Sequence, residues 1–353
     1  MSEVVFTLDD LNNPILVKVY TGFVNFCTTV TLIGFILLMY MVIKKPGPDM
    51  GEYRYYIAHQ LSWSFALNLH LAFWKPVPLW PFYFGYSNGL YAFLPEDYKY
   101  FPIIFFGFII VGMWFSIYLS TIHRYISGDP NSKFGEIFRK KWYIKFIHFI
   151  VFCGLAAGVC VSIYLRSRDS EASKTAVLKR ASFMQFFFDN YPSMTGYYPT
   201  INENISTLSM NALLLIAIGI LVFTFLLYNA FLRILKKNQT ILGENVYKMQ
   251  RMLLKSWSVQ IGFVVLFLLL PTMISIALAV FEMKWAAKLS LLTISINCLH
   301  AMADYVFLCL YIQPYRTYLK EKIACLFSTC EAYCKVSGIE SFTSGIGNSV
   351  APN

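Results

Sequence analysis

The chain has 353 residues, of which 57% are hydrophobic, 18% aromatic and only 14% charged. This composition excludes an ordinary soluble domain, in which about 25% of residues are charged, and a disordered chain, which needs low hydrophobicity. The net charge of +10 comes from Lys and Arg that lie in loops between apolar runs, so we expect these charges to serve a lipid bilayer and not a nucleic acid.

The predicted elements begin with residues 1–18, which lack the basic segment of a cleaved signal peptide. Seven apolar stretches of about 18 or more residues follow, each long enough to cross a bilayer as a helix. We number them spans one to seven: 19–43, 56–73, 101–122, 146–165, 208–232, 259–281 and 289–312. The predicted fold is an all-α membrane protein, a seven-transmembrane helix bundle over 19–312, with a tail over 313–353.

Span two is the most polar of the seven, because it contains His59, Gln60, Asn68 and His70. We expect this span to face the bundle interior, because polar groups are costly in lipid. The sequence Lys75-Pro76-Val77-Pro78 predicts the end of its helix, since proline removes a helical hydrogen bond.

Lys and Arg are more numerous in the tail and in the loops after spans one, three and five than in the other loops. Basic loops stay in the cytoplasm, so the sequence predicts an extracellular N-terminus and a cytoplasmic C-terminus. Asn204-Ile205-Ser206, in the loop after span four, is a glycosylation sequon that supports this orientation. Chance is the alternative, because Asn238-Gln239-Thr240 is a second such triplet on the predicted cytoplasmic side.

Asp304, in span seven, is the ionisable acid within the spans, and we expect it to face the bundle interior. His300 lies four residues earlier, on the same helix face. Two interpretations stay open for Asp304: a buried polar switch or cation site, and a protonated structural carboxyl. No two histidines share a metal-binding spacing, and no HExxH, GxSxG or Walker sequence is present. We therefore predict no enzyme, no catalytic residue, no metal and no cofactor.

Pro271 predicts a kink in span six, which would let the cytoplasmic half of the helix move. After span seven, basic and apolar residues alternate over 319–327, which predicts a short amphipathic helix on the membrane surface. Cys325, Cys330 and Cys334 follow at juxtamembrane distance, where they are either palmitoylation sites or free thiols.

Seven spans, Arg124-Tyr125 at the end of span three, Pro271 and Pro314-Tyr315-Arg316 after span seven together resemble a G-protein-coupled receptor. More closely, the chain resembles the nematode serpentine chemoreceptors of the Str superfamily, classes H and I, over almost its whole length. The segments that carry this resemblance are Tyr55-Tyr56, Trp63 and Leu67-Asn68-Leu69 in span two, Leu299-His300-Ala301, and Tyr311 to Arg316.

The resemblance implies a chemosensory, olfactory receptor in the plasma membrane of a sensory cilium. Such a receptor binds a small-molecule ligand outside the cell and couples to a heterotrimeric G protein inside. The candidate ligand-binding residues are Trp63, Trp74 and Trp114. The candidate residues for G-protein coupling are Arg124, Tyr125, Lys236, Lys237 and Arg316. Asn68, His300 and Asp304 are candidates for a polar switch.

Three departures from receptor patterns matter. His123 stands beside Arg124 where rhodopsin-like receptors have an acid, so their acid–arginine pair is not implied. No cysteine lies in the loops after spans two and four, so a disulfide between these loops is not implied either. Asn68 occupies a position where class H relatives are expected to have an acid, and Asp304 occupies one where they tend to have a small polar residue. We hypothesise that the side chains of Asn68 and Asp304 contact each other across spans two and seven.

Other classes of protein remain open at this stage. A ligand-gated channel of the inverted seven-span kind would need a cytoplasmic N-terminus. A transporter or membrane enzyme would be expected to show inverted repeats or several intramembrane charges. A receptor that does not signal is compatible with His123.

Overall fold

The computed structural model describes residues 6–44, 53–128, 149–158, 170–197, 228–237 and 244–336, together with a few isolated helical positions between these ranges. The chain divides into two compact units, Met1–Val306 and Phe307–Asn353. The boundary between the units falls within the helix of span seven.

Helices occupy the predicted spans. Spans one, two, three and seven form the helices Pro14–Lys44, Tyr53–Trp74, Phe101–Gly128 and Ala286–Tyr311. Span six forms the helices Glu244–Val264 and Leu270–Val280, joined by the π-helical turn Val265–Leu269. Four helical stretches, in spans one, three, six and seven, are long and apolar enough to cross a membrane. The predicted all-α membrane fold is confirmed.

Spans four and five are described in part. Span four is helical over Phe149–Gly158, and the end of span five is helical over 228–237. The remaining residues of both spans lie outside the described ranges.

The helix of span two buries one face. Ile57, Leu61, Ser64, Asn68 and Leu71 are buried, and their spacing of three or four residues is that of a single helical stripe. The polar members of this stripe therefore point into the bundle, as the sequence predicted for this span.

Span two ends at Trp74, and the chain turns immediately into a small antiparallel sheet that the sequence did not predict. Lys75 adopts a positive φ of 47°, after which strand β1, Pro76–Leu79, pairs with strand β2, Phe84–Ser87. Strand β3, Thr195–Gly196, pairs with the other edge of β2. The two prolines of β1 are tolerated because β1 is an edge strand.

The sheet belongs to a layer that we call the cap, formed by residues 6–13, 75–98, 170–197 and 281–288. Aromatic contacts join three of these segments, because the ring of Phe82 lies 5.5 Å from that of Phe6 and 5.8 Å from that of Phe183. The Arg180 guanidinium donates to both carboxylate oxygens of Glu282 at 3.0 and 2.8 Å. The N-terminal segment and the loops after spans two, four and six thus meet at one end of the bundle.

Glu282 is positioned in the cap by the hydrogen bonds that end the helix Leu270–Val280. The N–H of Met283 donates to the carbonyl of Leu278 at 3.1 Å, and the N–H of Glu282 to that of Ala279 at 3.2 Å. This pair of bonds is a Schellman motif, whose left-handed position is usually a glycine. Here a glutamate occupies that position at a φ of 49°, which places its carboxylate beside Arg180.

The second unit contains a helix that is longer than the sequence predicted. The prediction was a short amphipathic helix over 319–327, whereas the helix runs from Gln313 to Val336. Pro314 lies in its first turn, where no helical N–H is needed, and no further proline or glycine occurs before Gly338.

Candidate functional site

Asn68 joins three spans through the bundle interior. Its amide nitrogen donates to the hydroxyl of Thr31 in span one at 3.1 Å and to the carbonyl of Cys298 in span seven at 3.0 Å. Its amide oxygen accepts from the hydroxyl of Thr28 in span one at 3.1 Å. Both ends of the side chain are therefore satisfied by neighbouring helices.

The hypothesis that Asn68 and Asp304 contact each other is wrong. Asp304 lies six residues beyond Cys298, about 9 Å further along span seven. Its carboxylate instead accepts from the amide of Gln260 in span six at 3.1 Å. Asp304 is only 2% exposed, so the prediction that it faces the interior is confirmed. It forms no salt bridge with any residue that the structure describes.

Two further contacts extend the pairing of spans two and seven. The Oγ atom of Ser64 lies 3.4 Å from the Nδ1 atom of the His300 imidazole, and the Tyr305 hydroxyl donates to the carbonyl of Leu61 at 2.9 Å. As span two runs from Leu61 to Asn68, its partners in span seven run backward from Tyr305 to Cys298. The two helices are therefore antiparallel neighbours joined at three levels.

Span seven has a stripe of polar residues that can be recognised in the sequence by its helical spacing. The stripe consists of Ser290, Thr293, Asn297, His300 and Asp304, at intervals of three, four, three and four residues. That spacing is one helix face, and four of the five side chains are buried. Reading all five residues as a set would have found Thr293 and Asn297, which the sequence analysis missed.

Span six contacts this polar stripe near the point where the α-helix of span six is interrupted. Pro271 is the second residue of the helix Leu270–Val280, which follows the π-helical turn Val265–Leu269, and π-turns often occur at functional positions. The Ser275 hydroxyl, one turn beyond the proline, forms a hydrogen bond with the Thr293 hydroxyl. Contacts with span seven therefore reach the part of span six that the sequence predicted to bend.

A second polar group lies beneath the cap. The Nε2 atom of His70 is 3.0 Å from the carbonyl oxygen of Pro102, and its Nδ1 atom is 3.3 Å from the Tyr91 hydroxyl. Since a carbonyl can only accept, Nε2 carries the proton, and Nδ1 of the neutral ring accepts from the tyrosine. The sequence predicted that His70 faces inward but not that it holds the loop after span two.

The structure does not bring the three candidate ligand-binding tryptophans together. The Trp63 indole N–H donates to His59 at 3.0 Å, and its ring packs so closely on Gly112 of span three that an added Cβ would lie 2.4 Å away. Trp74 packs on Phe106, with 5.8 Å between ring centroids. Trp114 is half-buried and lies two positions beyond Gly112, on a different face of span three.

The candidate residues for G-protein coupling and His123 are described unequally. Lys236 and Lys237 are exposed at the end of the helix over 228–237, and Arg316 is exposed in the second unit. The His123 ring lies 4.4 Å from that of Tyr56, so an aromatic contact occupies the place where other receptors pair an acid.

Several candidates fall outside what the structure describes. Arg124 and Tyr125 belong to the helix of span three, and Cys325, Cys330 and Cys334 to the helix Gln313–Val336, but the side chains of these five residues are not described. Asn204 lies entirely outside the described ranges. Among the residues that are described, no three His, Cys, Asp or Glu side chains form a group that could hold a metal ion.

Comparison with known protein families gives a match over most of the chain. A family model described as "Serpentine type 7TM GPCR chemoreceptor Srh" matches residues 17–325. The match begins in the helix of span one and ends in the helix Gln313–Val336, so it contains all seven predicted spans. No curated protein matches the chain. The resemblance to nematode serpentine receptors is confirmed.

Proposed function

Because the chain belongs to the Srh family of serpentine 7TM GPCR chemoreceptors, we propose that it binds a small-molecule cue from outside the cell and signals through a heterotrimeric G protein. The family is a class of receptors and not of enzymes. The observation that carries the proposal is the polar stripe of span seven, in which His300 contacts Ser64 of span two and Asp304 contacts Gln260 of span six. Such contacts let a ligand bias the arrangement of both neighbours.

The cap is the extracellular face of the receptor in this proposal. It gathers the N-terminal segment with the loops after spans two, four and six, and all four lie on one side of a bundle of seven alternating helices. The sequon at Asn204 follows the cap segment 170–197 in the same loop. The excess of Lys and Arg in the other loops and in the tail supports the same orientation.

Ligand binding near the cap would change the balance between two positions of span six. A ligand shifts such an equilibrium only by its differential affinity for the two states. In the favoured state the half of span six before Pro271 moves outward and opens a basic surface to the G protein. The residues proposed for G-protein coupling are Arg124, Tyr125, Lys236 and Lys237 and, in the second unit, Arg316.

The three tryptophans remain proposals as ligand contacts, and their surroundings rank them. Trp74 lies at the end of span two, and its carbonyl accepts from the Ser87 hydroxyl of the sheet at 2.6 Å. Trp63 is committed to His59 and Gly112, so a ligand would have to displace existing packing. Trp74 is therefore the first of the three to substitute in a ligand screen.

Topology is the first test of the proposal. An N-terminal epitope on the full chain should bind antibody on non-permeabilised cells, and glycosidase should change the mobility of the wild type and of Asn238→Gln but not of Asn204→Gln. A cytoplasmic N-terminus would overturn the receptor assignment and favour the channel. With the expected topology, the next measurement is nucleotide exchange by a promiscuous G protein during a screen of small organic compounds.

Location is a separate proposal. A multi-pass membrane protein of a chemoreceptor family is expected at the plasma membrane, in the sensory cilium of a chemosensory neuron. A fluorescent fusion expressed from the native promoter should label that compartment, whereas label confined to internal membranes would contradict the proposal.

A further inference from the structure

Span six lacks one backbone donor at its break. Position 271 is a proline without an N–H, so the carbonyl of Phe267 cannot accept from it as it would in an α-helix, and Phe267 lies in the π-helical turn Val265–Leu269, where the α-helical register is interrupted. Within the hydrocarbon core there is no water to replace that donor. Proline is tolerated in membrane helices where a neighbouring helix, a Ser or Thr side chain or a local π-helical adjustment satisfies the freed backbone groups.

Asn297 of span seven lies against this carbonyl. When the amide is oriented so that both of its ends find partners, its nitrogen donates to the carbonyl of Phe267 at 2.6 Å and to that of Thr293 at 3.2 Å. The reverse orientation would place the amide oxygen against two carbonyl oxygens, which repel it. One side chain therefore joins the backbones of spans six and seven.

A second contact lies on the other side of the proline. The hydroxyl groups of Ser275 and Thr293 form a hydrogen bond, and Thr293 is one turn before Asn297. The two contacts bracket Pro271, since Phe267 precedes it by one turn and Ser275 follows it by one turn. The Ser275 contact anchors the cap-side half of span six, and the Phe267 contact holds the half that would move.

We propose that Asn297 is a positioning residue that supplies from span seven the donor that Pro271 removes from span six. The bond holds the moving half of span six against span seven and must break when that half swings outward. The structural part of this inference is independent of signalling. Its signalling part rests on the proposed function, because it requires that the swing admits a G protein.

A double-mutant cycle tests the structural part. Asn297→Leu removes the donor at nearly constant volume, and Pro271→Ala returns an N–H to position 271. We expect Asn297→Leu to shorten the half-life of the detergent-solubilised full chain at a fixed temperature by about five- to tenfold, the effect of one lost hydrogen bond to a group left without water. In the Pro271→Ala background the same substitution should change the half-life less than twofold.

The chain offers a matched control in span five. The Asn229 amide donates to the carbonyl of Phe225 in its own helix at 2.8 Å, so Asn229→Leu removes the same kind of bond without separating two spans. We expect its effect to be less than twofold in either background. Equal effects of Asn297→Leu with and without Pro271 would overturn the inference. If Asn297→Leu alone does not accumulate, recovery of the double variant supports the inference, and failure to recover overturns it.

Basal nucleotide exchange by a G protein reconstituted with each variant tests the signalling part. Asn297→Leu should raise the basal rate above that of the wild type and of Asn229→Leu, because the moving half of span six is released. An unchanged rate, in a preparation in which the wild type shows measurable exchange, would overturn that part. No exchange from any variant would contradict the proposed function and leave the half-life cycle interpretable.

Discussion

Asn68→Leu should weaken the bundle by an amount that the structure lets us work out. The side chain makes three hydrogen bonds between helices, and such bonds in membrane proteins contribute about 0.6 kcal/mol each on average. Leucine has nearly the same volume, so no large cavity follows. The expected loss in the free energy of unfolding is therefore about 2 kcal/mol.

Two of the three partners of Asn68, Thr28 and Cys298, keep another hydrogen bond when Asn68 is replaced. The single proton of the Thr28 hydroxyl is shared between Asn68 and the carbonyl of Val24, which lies 2.8 Å from the hydroxyl, and the carbonyl of Cys298 lies within a continuous helix that supplies its own donor. Neither group is left without a partner after the substitution, so the larger cost of orphaned buried groups, about 1–3 kcal/mol each, does not arise for them.

Reversible unfolding of the full chain in bicelles would measure this loss. Ser62→Ala is the matched control, because the Ser62 hydroxyl faces outward on the same helix and donates to the carbonyl of Ala58 within it. We expect the control to change the free energy by less than about 0.5 kcal/mol. An Asn68→Leu value as small as that of the control would refute the reasoning that Asn68 joins spans one, two and seven.

Three further results are expected from full-length variants. Gly112→Ala should cost about 1–3 kcal/mol by overpacking, and the cost measured by thermal unfolding should fall in a Trp63→Phe background; an unchanged cost would contradict the packing described. Reversing the charge of Arg180 or Glu282 alone should raise the rate of amide exchange in the cap slightly, because exposed ion pairs contribute little stability. Reversing both charges should restore the wild-type rate, whereas additive effects of the two reversals would argue against the ion pair. A hydrogen bond from the backbone N–H of Thr7 to the Asp10 carboxylate lowers the pKa of that carboxyl, so the bond stabilises the short helix Leu8–Leu11 at neutral pH and is lost as pH falls through the lowered pKa. Amide exchange of Leu8–Leu11 should therefore rise below about pH 4, and Asp10→Asn should abolish that dependence.

The sequence predicted the positions of the helices because hydrophobic length is a local property. Span three was expected over 101–122 and forms the helix Phe101–Gly128, and span two ends where its following prolines require. The cap was not predicted, because its strands are two to four residues long and have no periodic signal of their own. Short strands are defined by their pairing, which depends on distant parts of the chain.

The candidate site shows the same division. Periodicity placed the polar groups of spans two and seven on interior faces, and Asn68 does contact span seven. It did not give the axial offset between the two helices, so Cys298 and not Asp304 is the residue at that level. Gln260 and Asn297 were missed for a related reason, since an amide in an apolar span reveals its role only through the group opposite it.

The pairing of distant segments in the cap also fixes when the cap can form during synthesis. Ser87 and Ser193 are joined across 106 residues, and Arg180 and Glu282 across 102 residues. Strand β2 must therefore wait, with one edge unpaired, until spans three and four have been made, and the ion pair must wait for span six. Contacts so distant in sequence form late, so closure of this face follows the synthesis of span six. A defect in span three or span four that prevented pairing with strand β3 would leave that edge of β2 open.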